Sequence, residues 1–164
     1  MGFDLYGMSP KIHKPMPPML QEVEDAPEGT SVWDMWDKSE RRMYSLQVHT
    51  YEEDNPGVYF YNTIHFWRPL WEYVYGVCGD ILDEDDFING HTNDSYVITE
   101  SKAKKIAGTL YKLLATGTIE DDIQHVVDKL DDEGTLEAEE LPFNKENVKQ
   151  FALFCKESGG FKIC

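Results

Sequence analysis

The sequence predicts a helix-rich α+β fold: a single globular domain over residues 1–164, with a central buried helix at about 69–82 and a small sheet formed by the two termini and residues near 58–64. Three observations support this fold class. The hydrophobic fraction of 41% and the aromatic fraction of 13% are sufficient for a packed core. One run, residues 57–78, is far denser in aromatic rings than the rest of the chain. Apolar residues elsewhere recur mainly at the helical period, and strand patterns are short.

Both ends of the chain have a strand pattern. Phe3 and Leu5 alternate with Asp4, and glycines stand on both sides. The last residues, 160–163, repeat this pattern around Lys162. We therefore expect both termini in one sheet, and we hypothesise that they pair with each other, with Asp4 and Lys162 as compatible charges on one face.

The segment 8–30 is predicted to be an extended connector packed on the domain surface, because proline fixes φ and removes a backbone donor. Its prolines are Pro10, Pro15, Pro17, Pro18 and Pro27. Trp33 and Trp36 follow at helical spacing, which is typical of core anchors. A helix then begins with Ser39 as the expected cap and ends at the turn signal 54–57.

The aromatic run divides at Pro69. Residues 58–64 favour an extended strand, because β-branched and aromatic residues occur throughout the segment. Proline is favoured in the first turn of a helix, so a helix is predicted from Pro69 to Leu82. Two adjacent faces of this helix are apolar, which indicates a central, buried position.

Three more helices are predicted downstream. The first runs from Thr99 to Thr116 and stops at Gly117. The second begins at Thr118. Residues 131–142 form an acidic loop, and Asn144 caps the last helix, which leads through two glycines into the final strand.

The formal net charge is −16, from 31 acidic and 15 basic residues. This balance argues against direct binding of nucleic acid or of anionic membranes, which require basic surfaces. Neither a bilayer-spanning apolar run nor a signal peptide is recognised, so a cytoplasmic protein is expected. The acidity favours either general solubility or mimicry of nucleic acid, in which an acidic surface occupies a basic groove on a partner.

No metal site and no cofactor are predicted. The three cysteines are widely separated and form no C-x-x-C pair, and the five histidines have no zinc-binding spacing. Residues 131–140 resemble the second half of an EF-hand loop when Gly134 is placed at its invariant glycine position. Lys129 then falls where a carboxylate is required, so an acidic loop is the better interpretation.

Arg68 is the first candidate for ligand binding, because it lies between aromatic residues ahead of a helix. In a wall formed with Trp67 and Trp71 it would hold a phosphate or a nucleotide base. The structural alternative is that Arg68 stacks on one of these rings or pairs with Asp4 or Glu72.

The second candidate is the polar loop that contains His91, Asn93 and Asp94. A neighbouring carboxylate would orient the His91 ring, and such loops often carry function. The structural alternative is a solvated turn histidine.

Three segments together have a familiar pattern: the N-terminal MGFDLYG, a central YFxN…WRPLWxYV and a C-terminal FCxxSGGFxIC. With these motifs the whole chain resembles a family of small uncharacterised bacterial and bacteriophage proteins. Ser95 departs from the pattern, since the family's loop has glycine after Asn-Asp. The resemblance implies a phage or prophage accessory protein that acts in the host cytoplasm.

The leading functional hypothesis is therefore a non-enzymatic binding or regulatory protein that acts on a host protein through its acidic surface. The alternative is a small-ligand binder, or an enzyme on a nucleotide or another phosphorylated ligand, that uses Arg68 and the His91–Asp94 loop. The sequence makes no prediction about the oligomeric state.

Overall fold

The computed structural model describes residues 2–130 and 143–164, and it confirms the helix-rich α+β class. The described chain divides into two compact units, a smaller one at Ile12–Pro56 and a larger one formed by the rest. One domain over residues 1–164 stays a prediction. The elements, in chain order, are β1 (Gly2–Gly7), α1 (Pro18–Glu24), α2 (Val32–Met35), α3 (Lys38–Asp54), β2 (Tyr59–Thr63), α4 (Ile64–Val77), α5 (Glu84–Gly90), β3 (Tyr96–Ile98), α6 (Glu100–Thr116), α7 (Thr118–Leu130), α8 (Lys145–Glu157) and β4 (Phe161–Ile163).

The larger unit contains an antiparallel sheet with the order β2-β1-β4-β3. The two termini pair directly, as hypothesised: Leu5 lies opposite Ile163, and Tyr6 lies opposite Lys162. The backbone of Asp4 exchanges hydrogen bonds with that of Cys164, at 2.9 and 2.8 Å. The predicted strand near 58–64 is β2, which pairs with the other side of β1.

The central helix is confirmed as α4, with bounds shifted toward the N-terminus. It begins at Ile64 after Thr63 and ends at Val77, so Pro69 lies inside it and not at its start. Proline in a helix leaves the carbonyl four residues earlier without its helical donor. Burial of a continuous apolar stripe, which includes Trp67, Leu70, Trp71 and Val74, outweighs that local cost.

The later helices begin and end at the residues that the sequence indicates. The Thr99 side chain accepts a hydrogen bond from the amide of Lys102 at the start of α6, and Gly117 ends that helix with a φ of 76°. Asn144 caps α8 by accepting from the amide of Asn147. Helices α6 and α8 pack together, and Ile106, Leu110, Val148 and Phe151 are among their fully buried residues.

The smaller unit differs from the prediction in three respects. A short helix, α1, lies within the proline-rich segment 8–30, which is therefore not extended throughout. The cap of α3 is Asp37, not Ser39: Asp37 accepts from two amides and Glu40 returns a bond to the Asp37 amide, which completes a capping box. Trp36 is buried, whereas Trp33 is 43% exposed.

Among the described residues, no helix combines the length and the apolar character needed to cross a bilayer. The segment that resembles half of an EF-hand loop, 131–140, lies outside the described residues.

Candidate functional site

Trp67 and Trp71 are completely buried, and their rings stack at a centroid distance of 5.3 Å. The indole nitrogen of Trp67 donates to the carbonyl of Gly90 at 2.7 Å, and that of Trp71 donates to the carbonyl of Phe87 at 3.3 Å. The two indoles therefore attach α4 to the end of α5. They hold the start of the His91 loop in place and have no surface of their own to offer to a ligand.

Arg68 is an exposed residue of α4. It lines an open cavity of about 330 Å³ in the larger unit, together with Ile64, His65 and Pro69. Because no carboxylate lines this cavity, Arg68 can present its guanidinium to an anion there.

His91 is half-buried and packs edge-on against the ring of Phe87 at 4.8 Å. Burial lowers the pKa of His91, the nearby Glu72 carboxylate raises it, and the Arg68 guanidinium lowers it. Arg68 and His91 therefore influence each other electrostatically. His91 does not, however, line the cavity that contains Arg68.

The other two loop candidates have different environments. The side chain of Asn93 donates to the carbonyl of Gly2 at 2.9 Å, which attaches the loop to the beginning of β1. Asp94 is exposed. Ser95, which follows, has a left-handed φ of 63°. Asn93 thus has a structural role. Among the predicted residues, Arg68 and His91 are close enough for their charges to interact, but His91 does not line the Arg68 cavity.

A second cleft, which the sequence analysis did not identify, lies between β2 and the N-terminus of α8. Its volume is about 290 Å³, and its lining consists of Tyr61, Asn62, Thr63, Phe66, Asn144, Glu146, Asn147 and Gln150. The side chains of Asn62 and Asn147 are 8% and 9% exposed. The Nδ2 atom of each is buried without a hydrogen-bond partner among the described residues. Buried polar groups in native proteins are nearly always paired, so each of these donors requires an acceptor, which a water molecule or a bound group can supply.

The rim of this cleft carries little charge. Glu146 is its one charged lining residue, and it accepts a hydrogen bond from Gln150 at 3.1 Å. Asn144 is engaged as the cap of α8. Phe66 supplies an apolar wall. The cleft is therefore suited to a neutral or cationic group that offers hydrogen-bond acceptors to the two buried amides.

The sequence does contain a signal for this cleft. Along β2, Phe60 and Asn62 point to the buried face, so Asn62 occupies a position where the alternation calls for an apolar residue. Asn147 likewise precedes Phe151 by one helical turn on the buried stripe of α8. What the sequence does not indicate is that the two positions meet.

Acidic residues are concentrated at the connection between α4 and α5. Asp80, Glu84 and Asp85 are exposed there, and the side chain of Asp83 is 63% exposed. We call these four residues the acidic turn. Lys102 contacts only Asp83 among them, at 3.0 Å. The remaining three carboxylates form no ion pair with any described residue, so their charge faces solvent.

Behind the acidic turn lies a buried carboxylate, that of Asp86, which is 1% exposed. It accepts hydrogen bonds from the Tyr96 hydroxyl at 3.0 Å, from Lys102 Nζ at 2.5 Å and from the Asp83 amide at 2.9 Å. The bond to Asp86 raises the pKa of Lys102. This network attaches α5 to β3 and α6, so we assign it a role in stability.

Within residues 2–130 and 143–164, no group of three or more metal-binding side chains comes together. Comparisons with models of protein families, with curated proteins and with solved structures found no match.

Proposed function

We propose that this protein is a non-enzymatic binding protein that acts on a basic surface of another protein. The observation that carries the proposal is the acidic turn, which presents unpaired, solvent-facing carboxylates on a chain of net charge −16. Charge of one sign at such a density favours association with a partner of opposite sign and increases the rate of encounter.

The partner is a host protein, and the setting is a phage or prophage accessory role in the cytoplasm. The resemblance of the terminal and central motifs supports this setting. In its sharper form the proposal is mimicry of nucleic acid: the acidic turn occupies a groove in which the partner otherwise holds phosphates. In this proposal the protein itself does not bind nucleic acid directly.

Capture from a bacterial host lysate, followed by mass spectrometry, tests the proposal. The test variant combines Asp80→Asn, Glu84→Gln and Asp85→Asn. The matched control combines Glu22→Gln, Glu24→Gln and Asp25→Asn, which removes the same charge from an exposed helix of the smaller unit.

The expected result is a basic partner that the control retains and the test variant loses, with an affinity that falls as salt is added. Equal loss in both variants would show that net charge alone is responsible. An affinity that salt leaves unchanged would exclude an electrostatic interface.

A second candidate function rests on the cavity beside Arg68. Its exposed guanidinium and the neighbouring His65 support binding of a small anion, such as the phosphate of a nucleotide. A rise in Tm with added nucleotide or inorganic phosphate, lost in Arg68→Ala and kept in the exposed control Arg42→Ala, is the expected result. A rise that persists in Arg68→Ala would exclude this site.

A further inference from the structure

The second cleft adjoins an open edge of the sheet. β2 is the end strand in the order β2-β1-β4-β3, so no described strand pairs with its outer side. The amide of Gly7 donates to the carbonyl of Val58 at 2.9 Å. In an antiparallel pair the hydrogen-bonding direction alternates along the strand, so Phe60 and Asn62 also bond toward β1. The main-chain groups of Tyr61 and the amide of Thr63 therefore point away from β1, whereas the Thr63 carbonyl accepts the first hydrogen bond of α4. Both residues also line the cleft.

This edge lacks the usual features that prevent strand addition. Natural proteins protect an edge strand with charged residues, prolines or bulges. From Tyr59 to Thr63 the strand has neither a charged residue nor a proline, and its register with β1 is continuous. An edge strand without these features is suited to receive another extended segment.

The side-chain amides of Asn62 and Asn147 both need a hydrogen-bond acceptor. The Nδ2 donors of Asn62 and Asn147 need acceptor oxygens, and an asparagine side chain has the same donor and acceptor pair as a peptide group. A peptide main chain supplies carbonyl oxygens at regular intervals. It would satisfy both side chains while bonding to the outward groups of Tyr61 and Thr63.

We propose that the cleft between β2 and the N-terminus of α8 binds an extended peptide segment of a partner protein by its main chain, through strand addition to β2 and hydrogen bonds from Asn62 and Asn147. This mode of recognition obtains affinity from main-chain bonds and selectivity from small side-chain pockets. Phe66 forms the wall of such a pocket, and Glu146 at the rim favours a lysine or arginine in the peptide.

The dimensions favour a peptide over a compact small molecule. At about 290 Å³ the cleft lies just below the range of pockets that enclose small ligands. An extended peptide needs only one or two residues inside it, with the rest lying along the edge. The proposal is independent of the acidic turn, because none of the four acidic-turn residues lines the cleft.

The probe is a blocked heptapeptide of alternating valine and threonine with one central lysine, titrated into the isotopically labelled full chain and followed by NMR. Its control is the same peptide with alternate main-chain amides N-methylated, which cannot complete the ladder. The expected result is a shift of the side-chain amide signals of Asn62 and Asn147 and of the backbone amides of Tyr61 and Thr63. The methylated peptide should cause none of these shifts.

Two variants, Asn62→Leu and Asn147→Leu, separate binding from structure. Each keeps the shape of the side chain and removes a buried donor that lacks an acceptor, so the Tm of the free protein should stay constant or rise. Binding of the probe should weaken by about tenfold in each variant, as expected for the loss of one buried hydrogen bond. The matched control, Gln150→Leu, alters an exposed lining residue and should bind almost as well as the wild type.

Three results would overturn the proposal. The probe offers both the main-chain ladder and the central lysine that Glu146 favours, so absence of binding by the wild type at the highest soluble concentration of the probe excludes the proposal. Equal binding of the methylated peptide excludes the main-chain ladder. A lower Tm in both leucine variants shows that the two carboxamides are structural. A fourth result concerns the oligomeric state, which light scattering measures. If the free protein is a dimer and Asn62→Leu dissociates it, the occupant of the cleft is a second copy of this chain and not a peptide of a partner protein.

Discussion

The indole nitrogen of Trp71 lies where a side chain on Gly90 would begin. A Cβ atom built on Gly90 would stand 2.0 Å from Trp71 Nε1 and 2.3 Å from its Cε2. Trp71 is fully buried and stacked on Trp67, so its ring has no free space to move into. The contact between α4 and α5 therefore depends on the absence of a side chain at Gly90.

Gly90→Ala should lower the free energy of unfolding by about 2 kcal/mol or more, because the methyl group overpacks a rigid core. The matched control is Gly108→Ala in α6, where an added Cβ meets nothing within 4 Å. Alanine is the better helix former, so this control should gain about 0.5–1 kcal/mol. Urea denaturation measures the free energy of unfolding of both variants. If the two substitutions change it in the same direction, the packing argument is refuted.

Lys102→Met should destabilise the protein, because it removes the cation that faces the buried Asp86 carboxylate. Breaking a fully buried pair costs about 3–5 kcal/mol. Lys102 is 28% exposed and solvent screens part of the interaction, so we expect about 2 kcal/mol.

The control for this prediction is Lys104→Met, which removes an exposed pair with Glu100 on the same helix. Its effect on the free energy of unfolding should stay within about 0.5 kcal/mol. If the two methionine variants unfold at the same urea concentration, the Asp86 network contributes no more than a surface ion pair.

Ser95→Gly should be neutral or stabilising by up to about 1 kcal/mol. The left-handed φ of 63° at Ser95 costs a residue with a Cβ about 1–2 kcal/mol, and glycine avoids that cost at the expense of some unfolded-state entropy. Ser101→Gly, in the exposed first turn of α6, is the control and should destabilise slightly. Thermal unfolding of both variants measures the difference. The Ser95 hydroxyl also contacts Cys164 Sγ at 3.6 Å. A Ser95→Gly protein that melts clearly below the wild type would show that this contact contributes more to stability than the relief of backbone strain.

His91 should make the protein less stable in mild acid. Burial lowers the pKa of His91 from its ordinary value of 6.5, so the folded protein binds the proton less well than the unfolded chain. No penalty exists well above pH 6.5. The penalty appears as the pH falls through 6.5 and is complete once the pH is below the pKa of the folded state.

Two neighbours of His91 allow a sharper measurement by NMR titration of its ring. Arg68→Gln removes a positive charge and should raise the pKa of His91, whereas Glu72→Gln removes a negative charge and should lower it further. Shifts in the same direction in both variants would mean that neither side chain acts on the ring through its charge.

The sequence by itself determined the features that depend on local chemistry. The starts of α6 and α8 follow from the capping side chains of Thr99 and Asn144, and the end of α6 follows from Gly117, since only neighbouring residues are involved in these signals. The alternation around Phe3 and Leu5 likewise identified β1, and the matching pattern at the other terminus identified its partner β4.

Only the tertiary structure decided the features that depend on residues distant in sequence. Local preference placed Pro69 at the start of a helix, but packing of Trp67 into the core extends α4 five residues earlier. The same packing removes Trp67 and Trp71 from the surface and leaves Arg68 exposed. Asn62 and Asn147 each look like an isolated polar residue on an apolar stripe. They become one cleft because β2 and α8 bury neighbouring faces of the same core, and no local pattern records that meeting.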